Sequence, residues 1–363
     1  MPFDNITGGK FTGASVAARE KFDQALWCYQ CLAGDPLTPL DEAIADSPGF
    51  VMAYVLKGHL LANGSNADCV ELARQVVAEA AALPMNAHEQ AHVAALAAFT
   101  SGRFRKAARI LEDVSIEHPT DVLALEAGQM IDFLLGDSRM LRDRIARAMP
   151  HWSRDMPGYH AVLGMHAFGL EEMGHYARAE AAGRESIELE PRNSWAQHAV
   201  AHVLEMQDRR EDGIVWMTED TPRWAEDNFF KVHNWWHLGL FHLGLGQPDE
   251  AVRIYDQHIL GEPSEMAFDM VDASAMLWRL SPSRKSIIWP ASRASRSVGY
   301  STAMSSRMRA ATRSSPERKR VSASTCARSW LLAGRAAACA ATSTAMATQS
   351  AFEPLPSRWP LST

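Results

Sequence analysis

Cysteine is scarce, at five residues in a chain of 363, and no cationic and then apolar leader lies between Met1 and Lys10. A secreted disulfide scaffold is therefore not expected, and a reducing, cytoplasmic setting is. Long apolar runs are also lacking. The strongest stretch, 122–136, carries Glu126 and Asp132, so no membrane span is expected. Missing too are the dinucleotide-binding GxGxxG word, the phosphate-cradling P-loop and the GxSxG nucleophile elbow, which argues against familiar nucleotide-binding and serine hydrolase chemistry. Positive charge is short in the body of the chain. Residues 281–363 hold 13 Lys and Arg against two acids, a balance of +11, which leaves residues 1–280 at −18 within a total of −7. Such a body repels a phosphate backbone, and no nucleic-acid partner is expected.

What the chain does have is a repeat. Gly102, Gly174 and Gly246 stand 72 residues apart, as do Ala107, Ala179 and Ala251, and Pro119, Pro191 and Pro263. The same offset joins Pro150 to Pro222 and Trp152 to Trp224. A half-step of 34 leads from Gly102 to Gly136 and from Gly174 to Asp208, and 34 is the period of a helix-turn-helix repeat. Within 160–193 an apolar helix, a turn at Gly174, an amphipathic helix and a stop at Pro191 follow in order. Glycine supplies the positive φ of the turn, the small alanines let paired helices approach, and proline ends the second helix. Asp121 and Asn193, two residues beyond those prolines, suit the cap of the next helix.

The fold class expected is all-α, an α-solenoid of stacked helix hairpins near 22–48, 50–85, 88–119, 122–150, 160–191, 194–222 and 232–263, with a further helix over 264–280. The Pro-Trp segments at 150–152 and 222–224 account for the longer alternate steps. Residues 1–14 read as an N-terminal arm and 15–280 as the solenoid.

After Leu280 the pattern breaks. Ser and Thr make up 25 of the last 83 residues, Asp is absent, and all 14 histidines lie earlier. The mixture is that of a GC-rich gene read out of frame, so 281–363 is expected to be a low-order, largely disordered tail of frameshift origin; a genuine basic disordered tail is the alternative. An uncovered last helix would then favour self-association.

The words TDVLALEAGQ at 120–129, WAQHAVAHVLEM at 195–206, HNWWHLGLFHLG at 233–244, IYDQHIL at 254–260 and MLWRL at 276–280 resemble the tetratricopeptide repeat superfamily, and within it the tetratricopeptide repeat protein 38 family, over about 15–280. Members of that family usually carry more helical repeats past the last word. The resemblance implies that first helices of successive hairpins line a concave groove, which would bring Trp195, His198, His202, Glu205, His233 and Trp236 together, with His92, Glu126, Met130, Phe168 and Glu171 further along it. It supplies no established activity.

His198 and His202 share a helical stripe with Glu205, and His233 and His237 repeat the spacing one hairpin later. Beside acid/base catalysis by a His-Glu pair, two readings stay open. In the first, these side chains with Phe168, Met130, Trp195 and Trp236 form a non-catalytic groove for a neutral or basic protein or peptide partner, with no cofactor. Lys and Asn are missing from it, which counts against clamping a C-terminal carboxylate. In the second, His198, His202, Glu205 and His233 bind a divalent metal such as zinc, and together with His237 form a metal-assisted hydrolase. The HExxH protease word is not met, since Ala199 stands where its Glu would be. His88 and His92 repeat the four-residue spacing with no visible partner. Cys28 and Cys31 form a CxxC inside a helical run and read as buried, while Cys69, Cys326 and Cys339 match no site spacing. Met130, Met165, Met173 and Met206 read as core fillers.

Overall fold

In the computed structural model, residues 11–64, 67–261 and 267–280 are described. They form sixteen α-helices, and among the described residues no β-strand forms. Seven antiparallel pairs follow one another: α1 (Val16–Cys31) with α2 (Leu37–Asp46), α3 (Val51–Asn63) with α4 (Ala67–Ala81), α5 (Ala87–Thr100) with α6 (Phe104–Glu117), and α7 (Val122–Leu135) with α8 (Ser138–Ala148). Next come α9 (Tyr159–Glu172) with α10 (Tyr176–Leu189), α11 (Ser194–Met206) with α12 (Arg210–Thr218), and α14 (Lys231–Gly244) with α15 (Pro248–Ile254). The short α13 (Thr221–Ala225) precedes α14, and α16 (Ala267–Leu280) packs against it.

The periodic residues occupy equivalent places. Gly102, Gly136, Gly174 and Gly246 take positive φ of 66–77° at the turns, and Asp208 takes 60° at the matching position of the α11–α12 turn. Ala107, Ala179 and Ala251 are buried at the helix contacts. Asp121 and Asn193 cap α7 and α11 by accepting from the N–H groups of Ala124 and Ala196. The long steps hold a 3₁₀ turn at Met149–His151 and helix α13, with the buried Trp152 and Trp224 donating to Pro119 O and Met217 O. Beyond α15 the chain widens into a π turn at Tyr255–Ile259, where His258 stacks on Trp235 at 3.8 Å.

The described part of the expected arm, residues 11–14, is bound to the solenoid: Phe11 packs on Phe22 and Phe50, and Thr12 N–H donates to Glu89. The first helix begins at Val16, six residues before the expected hairpin start, because Ser15 caps it. Most of the arm, the stop at Pro263, and the tail with its frameshift origin and its bearing on self-association lie outside the described residues.

One feature departs from a solenoid in which each unit meets only its neighbours. The superhelix closes on its own first hairpin. Trp27 Nε1 donates to Glu190 at 2.9 Å, Gly34 N to Asp227 O at 3.0 Å, and Phe229 N to Leu32 O at 3.0 Å; Asn228 Nδ2 donates to Cys31 O at 3.3 Å. Helix α1 thus lies against the concave wall that the first helices were expected to line. The hydrophobic core falls mainly into two groups, one from α1 to α9 that also takes in Phe230 and Phe268, and one from α11 to α16.

Candidate functional site

The residues expected to share one groove divide into two sites. The first is a cavity of about 30 Å³ between α1 (Tyr29, Gln30), α7 (Glu126, Gln129, Met130, Phe133), α9 (Met165) and Trp195 of α11. Its volume suits a few small atoms. Two lining atoms are buried without a hydrogen-bond partner, Glu126 Oε2 and Gln30 Nε2. Burial pushes the Glu126 carboxyl well above the ordinary carboxylate range. Neighbouring amides are committed elsewhere: Gln129 Nε2 donates to Leu141 O and Met165 O, and Asn193, which also lines the cavity, caps α11 and donates to His160 O and Ser186 Oγ. An asparagine is therefore present in the concave wall, contrary to expectation, but its side chain is spent.

Trp195 links this cavity to the second site. It stands edge-on to Phe133 at 6.4 Å, tilts on Phe168 at 4.6 Å and lies 5.3 Å from the His198 ring. Beyond it, His198 and His202 from α11 meet His233 and His237 from α14, with one nitrogen of each ring lying within 4.8 Å of the others. All four are buried, at 2–7% exposure. His233 Nε2 lies 3.1 Å from both His198 Nε2 and His237 Nε2. Behind the rings stand two carboxylates, Asp272 of α16 at 3.0 Å from His233 Nδ1 and Glu171 of α9 at 3.3 Å from His202 Nδ1. Phe168, Phe230 and Phe268 close the site with aromatic surface, and Trp236 stacks on His233.

Three expectations need correction. Glu205 does not join the imidazoles; His237 takes that place. Glu205 is half-buried near the C-terminal end of α11, where burial raises its carboxyl and Arg210, His202 and Arg279 act on it. A shared helical stripe fixes direction around the axis, but the seven residues from His198 carry Glu205 about two turns along it. Phe168 and Trp236, expected as groove lining, are almost fully buried. Met173 is not core, since it sits 36% exposed at the end of α9.

A third cluster answers a question the sequence left open. Asp121 Oδ2 lies 2.6 Å from His88 Nε2 and 2.7 Å from His92 Nε2, while its Oδ1 caps α7. Burial opposes ionisation here, yet the charge of His92 and the hydrogen bonds from both rings hold the Asp121 carboxyl well below the ordinary range. The partner was visible in the sequence only as a cap. Cys28 and Cys31 are buried free thiols at the end of α1, and burial pushes Cys28 up to about 11 and Cys31 higher still, which removes them from thiolate chemistry. Cys326 and Cys339 lie outside the described residues.

The stacked hairpins define an all-helical α-solenoid. Among solved structures, the chain is similar to a tetratricopeptide repeat protein from Parabacteroides merdae, at 12% identity with a TM-score of 0.44, covering 74% of this chain and 99% of that one. It is also similar to the tetratricopeptide repeat domain of P58(IPK), at 15% identity with a TM-score of 0.24, covering 74% of this chain and 80% of that domain. No family model matches the sequence. No helix among the described residues is long and apolar enough to cross a membrane.

Proposed function

We propose that the chain is a non-catalytic binding module that takes the tip of a neutral or basic side chain of a protein or peptide partner between α1 and the concave wall, in a cytoplasmic setting. The observation that carries this reading is the cavity beside Met130 and Trp195, where Glu126 Oε2 and Gln30 Nε2 are buried with no protein group to satisfy them. Buried polar atoms of that kind cost roughly 1–3 kcal/mol each, which a ligand or water with complementary groups relieves. Aromatic walls, and a carboxyl that burial keeps protonated until a cation stands beside it, favour a neutral or basic over an acidic visitor. The closure of the superhelix on α1 restricts the visitor to a side chain or chain end; an extended peptide along the groove would collide with α1. We further read the hairpins as being of the tetratricopeptide repeat protein 38 kind, because the His and Trp words that carry that resemblance supply the second site.

The competing reading, a metal-assisted hydrolase, is set aside on chemical grounds. Its carboxylate, Glu205, stands apart from the imidazoles, and a metal held by the four histidines would have its tetrahedral shell filled, without the open position that catalysis needs. The binding reading is tested by calorimetry of the full chain with an acetylated hexapeptide centred on Lys, and with the same peptide carrying Glu. Binding of the Lys peptide alone, weakened about tenfold or more by Trp195→Ala and by Met130→Ala, supports it. No binding, or binding indifferent to both substitutions, rejects it.

A further inference from the structure

We propose that His198, His202, His233 and His237 form a closed four-coordinate site for a divalent transition metal of the zinc class, which joins α11 to α14 across the concave face. The geometry comes first. Ligand nitrogens at zinc–nitrogen distances of 2.0–2.1 Å on a tetrahedron stand about 3.4 Å from one another. Here two Nε2–Nε2 separations are 3.1 Å, and the whole set lies within 4.8 Å. Two helices supply the four ligands as i, i+4 pairs, the spacing that puts successive imidazoles on one face.

Proton bookkeeping leads the same way. A carboxylate accepts hydrogen bonds and does not donate, so Asp272 fixes the His233 proton on Nδ1. The Nε2 lone pair of His233 then points at His198 and His237, and both present their own Nε2 to it. One cation at the centre receives several lone pairs at once, whereas direct contacts between rings need a proton in each gap. Asp272, hydrogen-bonded behind His233, stands where an outer-shell carboxylate orients a metal-bound imidazole and raises its basicity, and Glu171 adds a carboxylate 3.3 Å behind His202 without a hydrogen bond to it. They also place two acidic groups beside four buried rings, and a dication offsets them. Phe168, Phe230, Phe268 and Trp236 exclude water from the centre.

Because all four positions belong to the protein, the metal holds structure and does no hydrolysis. It ties two successive hairpins at the place where the α1 hairpin also latches onto residues 227–229. This inference does not depend on the cavity beside Glu126, since the two sites share no ligand.

The test uses the full chain stripped with a chelator and titrated with Co²⁺, then with Zn²⁺. The expected result is one Co²⁺ per chain with the intense visible bands of tetrahedral cobalt, displaced stoichiometrically by Zn²⁺, and a raised melting temperature. Glu205→Ala keeps this spectrum, and His237→Ala loses it. Should His237→Ala fail to fold, Asp272→Asn serves in its place and weakens affinity about 10–100-fold while the spectrum stays tetrahedral. Absence of stoichiometric binding, a pale octahedral spectrum, or loss of binding in Glu205→Ala with retention in His237→Ala overturns the proposal.

Discussion

His233 holds Asp272 through Nδ1 at 3.0 Å and turns its other nitrogen toward His198, so a carboxylate on α16 fixes a ring on α14 against a ring on α11. Three helices of the solenoid, α11, α14 and α16, are joined by a chain of polar contacts within an aromatic shell. Asp272→Asn keeps the size of the side chain and removes its charge. The expected loss is about 1–3 kcal/mol of unfolding free energy in urea, because a charge-assisted hydrogen bond in a buried setting becomes an ordinary one. A variant as stable as the parent, with and without metal, would show that the pair orients nothing.

Glu126 gives a pH signature. Its carboxyl is pushed up by burial, so the folded chain keeps the proton over a range in which the unfolded chain has lost it. A raised carboxylate pKa costs stability as pH rises from the unfolded value, about 4.3, toward the folded one. Glu126→Gln removes that cost. The variant should melt higher than the parent at pH 7–8 and converge with it near pH 4, as read from melting temperatures across that span.

Asp121 gives the opposite sign. Its folded pKa is depressed, so the stability it contributes is complete above the unfolded value, about 3.9, and is lost as pH falls through the folded value. Asp121→Ala removes a cap and the shared partner of His88 and His92 together, and should cost about 2–4 kcal/mol at pH 7. The difference from the parent should shrink in strong acid; a difference that does not change with pH would contradict the assignment.

The turns offer a backbone test. Gly174 sits at a φ of 75° with open space where a Cβ would go, so Gly174→Ala meets only conformational strain, about 1–2 kcal/mol. Asp208 already carries that strain at the equivalent turn, with a φ of 60°. Asp208→Gly should therefore be neutral or stabilising in a denaturant titration, although it gives up the exposed ion pair with Arg210.

Period and turn chemistry made the hairpins legible in the sequence, since Gly102, Gly174 and Gly246 mark turns whose backbone only glycine adopts without strain. The convergence of His198, His202, His233 and His237 was legible in part, because i, i+4 spacing repeats at an offset of one hairpin. The exchange of Glu205 for His237 was not, because position along a helix axis depends on how far α14 slides against α11. Asp272 was hidden for the same reason, and Glu171, although expected in the groove, was not matched to His202, as each lies on a different helix from the ring it contacts. Closure of the superhelix on α1 was beyond reach, since it rests on backbone hydrogen bonds between residues 32–34 and 227–229 and on two isolated side-chain donors, Trp27 and Asn228, that belong to no periodic pattern.

The most direct measurement is anomalous diffraction from crystals of the zinc-loaded full chain, recorded on both sides of the zinc absorption edge. The account predicts one strong peak per chain, about 2.0–2.1 Å from a ring nitrogen of each of His198, His202, His233 and His237, with Glu205 outside the shell. A difference map without a peak among these rings, or with one bound through Glu205 in place of His237, would contradict it.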